Sequence, residues 1–121
     1  MAKRIMTVDD SKTIREMVSF TLRRAGFDVV EAEDGQKAVT SLRSLQIDLV
    51  ITDLNMPNMD GVALIRTLRA DARFRALPIL MLTTEGDPAK KAEGRAAGAT
   101  GWIVKPFDPN RLIDVVNRVC P

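Results

Sequence analysis

Arg4-Ile5-Met6-Thr7-Val8-Asp9-Asp10-Ser11-Lys12 is the stretch that decides the fold of this chain. Its first five residues form a short apolar run, which breaks abruptly into two carboxylates. Four similar runs follow: Phe27 to Val30, Leu49 to Thr52, Ile79 to Leu82 and Trp102 to Val104. Continuous rather than alternating apolarity predicts strands covered on both faces. Apolar stripes of helical period lie between them. Ile14, Met17, Val18, Thr21, Leu22 and Ala25 make the first; Ala38, Leu42 and Leu45 the second; Ile65, Leu68 and Ala72 the third. Ala89, Ala92, Ala96 and Ala97 form a thin fourth, and Leu112, Ile113, Val116, Val119 and Cys120 a fifth. Gly26 and Gly98 fall just past helix ends, where a left-handed residue is wanted. Asp87-Pro88 and Asp108-Pro109 read as an N-cap followed by proline in the first turn. Five βα units predict an α/β fold: a doubly wound, five-stranded parallel sheet with right-handed crossovers and helices on both faces.

The 121 residues fit one domain, 1–121, and a chain of this size can bury a real core without staples. Apolar residues at 45% and charged residues at 28% exclude the disordered and fibrous classes. No apolar run approaches the roughly 18 residues of a membrane span, and the N-terminus lacks a signal-peptide stretch, so a cytoplasmic location is expected. With no histidine and one cysteine, Ser-His and Cys-His catalysis, histidine metal centres, zinc sites and an internal disulfide are all excluded. The net charge of +2 rests on twelve arginines spread along the chain. Arg15, Arg23, Arg24, Arg66, Arg69, Arg95, Arg111 and Arg118 fall on predicted helix surfaces, interspersed with acids. A solvated surface is the expectation, not a nucleic-acid footprint, which needs basic residues gathered on one face. Cys120, on the apolar face of the last helix, reads as inert packing.

Parallel strands end on one edge of a sheet, and ligands of open α/β sheets bind there. Strand one runs into Asp9 and Asp10, strand two ends in Glu31, strand three runs into Asp53, strand four into Thr83 and Thr84, and strand five into Lys105. Taken singly, an Asp-Asp pair is more often a turn and helix cap, and a strand-end threonine is ordinary β-propensity. Together they bring three carboxylates, a hydroxyl and an ammonium to one crevice. Crowded carboxylates need a proton or a cation, and with only hard oxygen donors Mg²⁺ is the natural occupant. The acidic Asp9-Asp10-Ser11-Lys12 turn lacks the glycines of a phosphate cradle, and no G-x-G-x-x-G or P-loop string occurs. Such a site suits phosphoryl transfer, with Asp53 on the central strand as nucleophile and Lys105 and Thr83 on phosphoryl oxygens.

The strings V-D-D-S at Val8 to Ser11, D-L-N-M-P-N-M-D-G at Asp53 to Gly61, M-L-T-T-E at Met81 to Glu85 and G-W-I-V-K-P-F at Gly101 to Phe107 carry a family resemblance. The chain resembles the receiver domain of two-component response regulators, and most closely the stand-alone, CheY-like chemotaxis branch. The resemblance covers essentially the whole chain and implies a flavodoxin-like, (βα)5 sheet in strand order 2-1-3-4-5. It implies that Asp53 accepts a phosphoryl group from a histidine kinase's phosphohistidine. Asp10 directly, Asp9 through water and the backbone carbonyl of Asn55 would hold Mg²⁺. Thr83 matches the switch hydroxyl, Lys105 the site lysine, Asn55 and Glu85 the tuners of phosphate lifetime, and Lys105-Pro106 a cis bond. Trp102 stands at the switch-aromatic position, where Tyr or Phe is commoner, and its bulk sets the chain apart. Helix four also departs from the pattern: Pro88, Gly94 and Gly98 with few large apolar residues predict a weakly packed element.

The implied activity is phosphorylation-dependent signalling and not enzymology, without an output domain and probing a downstream target with the surface of helix four, strand five and helix five. A flagellar motor switch protein in chemotaxis is the first such target, with a dedicated phosphatase as a further partner and a monomeric state. A phosphorelay shuttle or cell-cycle regulator would use the same parts. An aspartate-nucleophile phosphatase is a second class, although such enzymes carry D-x-D where this chain has Asn55 after Asp53. A degenerate receiver acting as a constitutive interaction domain is the third.

Overall fold

In a computed structural model, which describes residues 2–84 and 88–120, the chain forms five βα units. The strands are β1 (Arg4–Val8), β2 (Asp28–Ala32), β3 (Leu49–Asp53), β4 (Ile79–Thr84) and β5 (Gly101–Lys105). The helices are α1 (Lys12–Arg24), α2 (Gly35–Leu42), α3 (Gly61–Ala70), α4 (Pro88–Ala97) and α5 (Pro109–Val119), with a 3₁₀ turn at Ala72–Phe74. All strand pairs are parallel, and the order is β2-β1-β3-β4-β5, as expected.

Side chains alternate across the sheet and feed two cores. One face carries Met6, Val8, Val50, Ile79 and Met81 under α2, α3 and α4. The other carries Ile5, Leu49, Ile51, Leu80, Leu82 and Ile103 under α1 and α5. Each fully buried aliphatic side chain contributes about 1.5–3 kcal/mol relative to exposure. The two apolar layers therefore set where the strands lie, and the polar residues at their ends are carried along. Helix starts are capped by side chains: Ser11 accepts the Ile14 N–H, Asp34 that of Lys37, Asp60 that of Ala63 and Asp108 that of Asn110. Pro109 opens α5, and Gly26 and Gly98 take φ of 96° and 114°, as predicted.

Several expectations need correction. The strands run further than their apolar residues: β2 continues past Glu31 to Ala32, Asp53 and Lys105 are last residues within β3 and β5, and Thr83 lies inside β4. Only β1, β3 and β4 are buried throughout most of their length; β2 and β5, at the sheet edges, are half-exposed. Leu45 and Ala72 fall beyond the ends of α2 and α3 and are exposed, because those helices stop at Leu42 and Ala70. Met17 on α1 and Ala25 at its C-cap are exposed, and the buried face of the helix is Val18, Ser19 and Leu22. Met17 instead lines a groove with Phe20, Phe107 and Ile113.

The largest revision concerns α4. Ala89, Ala92 and Ala96 are exposed, and the buried residue is Gly94. A methyl group at Gly94 would overlap the sulfur of Met81 on β4, so glycine lets the helix backbone lie directly on the sheet. Arg69 is not a solvated surface residue either: its Nε donates to the Gly98 carbonyl at 2.9 Å and its Nη1 to that of Phe74 at 2.7 Å. It ties the end of α4 to α3. Asp87, expected to cap α4, lies outside the described residues.

Candidate functional site

The C-terminal ends of β1, β3, β4 and β5 meet at one edge. Asp9 follows β1 and is buried; its amide donates to the Ala32 carbonyl and prolongs the pairing with β2. Its Oδ1 accepts the Ser11 N–H at 2.9 Å, while its Oδ2 is buried with no hydrogen bond among the described residues and lies 3.5 Å from the Lys105 Nζ. Asp10 is exposed. Asp53 leaves β3 with 10% of its side chain exposed, enough to be reached from solvent, and its Oδ1 accepts from Lys105 Nζ at 2.9 Å. One carboxylate oxygen from each of Asp9, Asp10 and Asp53 lies within 4.8 Å of the others. Burial first, then the charges of Asp53 and Asp10, raise the Asp9 pKa, against the Ser11 N–H and the Lys105 ammonium.

The group fits a hard divalent cation on its own chemistry. The donors are all oxygen, the like charges repel, and one buried carboxylate oxygen has no hydrogen-bond donor.

Thr83 sits at the same edge but on the other face. In the register of β4 and β5, Met81 lies opposite Trp102 and Thr83 opposite Val104. By alternation these four share the α3/α4 side, while Leu82 and Ile103 belong to the opposite core. The Thr83 hydroxyl is buried without a hydrogen-bond partner among the described residues, a cost that a new acceptor or donor would relieve. Trp102, half-buried, stands diagonally beside it, with the Arg95 guanidinium 4.6 Å and the Lys91 ammonium 5.7 Å from its ring centre.

The expected residues therefore divide. Asp9, Asp10, Asp53 and Lys105 converge directly; Thr83 and Trp102 form an adjoining pair on the α4 side. Asn55 is exposed in the loop after β3, and Lys105-Pro106 is cis. Glu85 lies outside the described residues.

Three supporting groups were not read from the sequence. Arg15 donates to the Asp9 carbonyl at 2.7 Å and pairs with Glu31 at 3.3 Å, bracing the turn after β1. Asn58, at φ 66°, donates to Asp34 at 2.9 Å and anchors the loop that follows Asp53 to the start of α2. The Lys37 N–H and then Asn58 hold the Asp34 carboxyl below its ordinary pKa. Gly61 begins α3 so close behind β3 that a Cβ would strike the Asp53 carbonyl. The Asn58-Met59-Asp60-Gly61 string was the available signal, since asparagine and glycine tolerate such backbone geometry.

A parallel sheet in the order 2-1-3-4-5 with an acidic crevice at its switch point is the architecture of receiver domains; flavodoxin and CheY are the standard examples of that order. Comparison with known proteins agrees. Residues 5–117 match the response regulator receiver domain. Chemotaxis protein CheY1 of Helicobacter pylori is 44% identical over 111 residues, covering 90% of each chain. The phosphate regulon transcriptional regulatory protein PhoB of Klebsiella pneumoniae is 39% identical over 125 residues; the match takes in all of this chain and 55% of that one. The chain thus spans about half the length of the PhoB relatives. The structure of the chemotaxis response regulator CheY4 of Vibrio cholerae superposes with a TM-score of 0.92 at 45% identity, over 98% of this chain and 99% of that one. The chain belongs to the response-regulator receiver family and is of the CheY-like type.

Proposed function

We propose that residues 1–121 act as a single phosphoryl-accepting receiver unit in the cytoplasm, with Asp53 as acceptor and a histidine kinase as donor. The observation that carries this reading is the placement of the Asp53 carboxylate, 2.9 Å from the Lys105 ammonium and beside Asp9 and Asp10 at a solvent-reachable sheet edge. A carboxylate oxygen of Asp53 forms a bond to phosphorus as the phosphorus–nitrogen bond of phosphohistidine breaks, and the electron pair returns to the imidazole nitrogen. Lys105 already donates to Asp53 and turns that donation to a phosphoryl oxygen; the unpartnered Thr83 hydroxyl takes another. Asp9, Asp10, Asp53 and the Asn55 carbonyl would hold Mg²⁺, which when bound supplies charge neutralisation for the phosphoryl oxygens. Asn55 and Glu85 would set how long the acyl phosphate survives.

Once Thr83 bonds the phosphoryl group, the space beside it opens to Trp102, and the surface of α4, β5 and α5 changes for a target protein. The CheY relatives, named as chemotaxis proteins, support a chemotaxis output; the target we propose there is a flagellar motor switch protein, with a phosphatase to end the signal. The PhoB relatives support a second reading, in which the same receiver controls transcription.

Incubation with acetyl phosphate and Mg²⁺ is expected to label the chain at Asp53. Asp53→Asn, which keeps the shape of the side chain but not its nucleophilicity, is expected to label at under about 1% of wild type, since the acceptor atom is gone. Equal labelling of that variant would place the acceptor elsewhere, and multiple turnover on a small phosphate ester would favour an enzyme. Capture with phosphorylated against unmodified protein separates the motor and transcriptional outputs.

A further inference from the structure

We propose that Lys91 and Arg95 form a cationic bracket that holds Trp102 against α4, and so bias the receiver toward its unswitched state. The proposal deepens the reading above and rests on it.

Lys91 and Arg95 are four residues apart on α4 and therefore neighbours on one face of the helix. Both place their charge within reach of the same indole, at 5.7 Å and 4.6 Å from its centre. Such contacts are attractive because the ring face carries negative potential, and tryptophan is the best of the aromatic partners. The geometry depends on Gly94, which lets the helix backbone settle on Met81, directly across the β4–β5 register from Trp102. Ala89, Ala92 and Ala96 are exposed, Gly94 is the one buried residue of α4 among those described, and Ala97 packs at the helix end against the same apolar cluster as Trp102. The bracket thus joins α4 to β5 through the ring of Trp102.

This arrangement accompanies an Asp53 that is unmodified and paired with Lys105. For the indole to move toward Thr83, both contacts must break. The bracket is paid back only when the phosphoryl group supplies more than it removes, so Lys91 and Arg95 are positioning residues that set the threshold of the switch. They also make the output a change of charge, since two cations engaged by the ring become available to a partner when it leaves.

Trp102 is the chain's single tryptophan, so its fluorescence reports on this site alone. The full chain is compared with Arg95→Gln, Lys91→Gln, the double variant, the conservative Arg95→Lys and, as a control for net charge, Arg66→Gln on α3. In unmodified protein the double variant is expected to show an acrylamide quenching constant about twofold higher. With Mg²⁺ it is expected to bind beryllofluoride, an acyl-phosphate mimic, about three- to tenfold more tightly, with Arg95→Lys near wild type. Unchanged quenching in the double variant would overturn the bracket. Raised quenching with beryllofluoride affinity at the wild-type value would overturn its role in the switch. A wild type that binds no beryllofluoride would instead sink the phosphoryl-accepting reading, and the biasing role with it.

Discussion

Arg73 and Asp71 show how a single pair writes itself into the acid stability of the molecule. Asp71 caps the 3₁₀ turn through the Arg73 N–H and receives the guanidinium of the same residue. The Arg73 side chain first, and its backbone N–H second, lower the Asp71 pKa from 3.8 to about 2. A carboxyl group lowered in the folded state stabilises above its unfolded pKa and loses that contribution as pH falls through the folded value. Asp71→Asn is therefore expected to cost stability at neutral pH, with the difference from wild type narrowing between about pH 4 and pH 2. Urea midpoints measured across that range check it; a constant difference would mean that the pair acts through packing alone. Arg15 and Arg69 teach a related lesson about charge. Both donate to backbone carbonyls, of Asp9, Gly98 and Phe74, which no pattern of side chains along the chain announces.

At the scale of the element, α4 is where local preference and tertiary packing disagree. Helix propensity alone would have Gly94→Ala stabilise by about 1 kcal/mol. The added methyl has no room, because Met81 is fully buried and its sulfur lies against the helix backbone. The substitution is expected to destabilise by about 1–3 kcal/mol, the usual cost of overpacking. Combining it with Met81→Val, which withdraws the sulfur, is expected to cost less than the two changes summed, in a urea-denaturation cycle. Additive costs would show that α4 shifts bodily instead. The same helix marks the limit of sequence reading. Alanine is indifferent to burial, so a run of alanines suggests a stripe without saying which way it faces. The five strands were legible because apolar runs of three to five residues have one economical use, and their polar ends followed from parallel pairing. What could not be read was which side of the sheet Thr83 and Trp102 take relative to Asp53, since that depends on register across β3, β4 and β5.

The whole molecule is a sheet held from both faces with its repelling carboxylates collected at one end. Magnesium binding at that end is expected to stabilise the fold, by about 2.7 kcal/mol at a hundredfold excess over the dissociation constant. Thermal unfolding with and without Mg²⁺, and again after EDTA, checks this at constant ionic strength. A midpoint that ignores Mg²⁺ would remove the cation from the site. The bond from Arg69 to the Gly98 carbonyl has a further mechanical consequence. It pins the last turn of α4 to α3, so a displacement of the helix that keeps this bond is a swing about one end rather than a slide as a block. With ten residues it is about 15 Å long, and a swing of roughly 10° carries its N-terminal end through an arc of roughly 2–3 Å while Gly98 stays still.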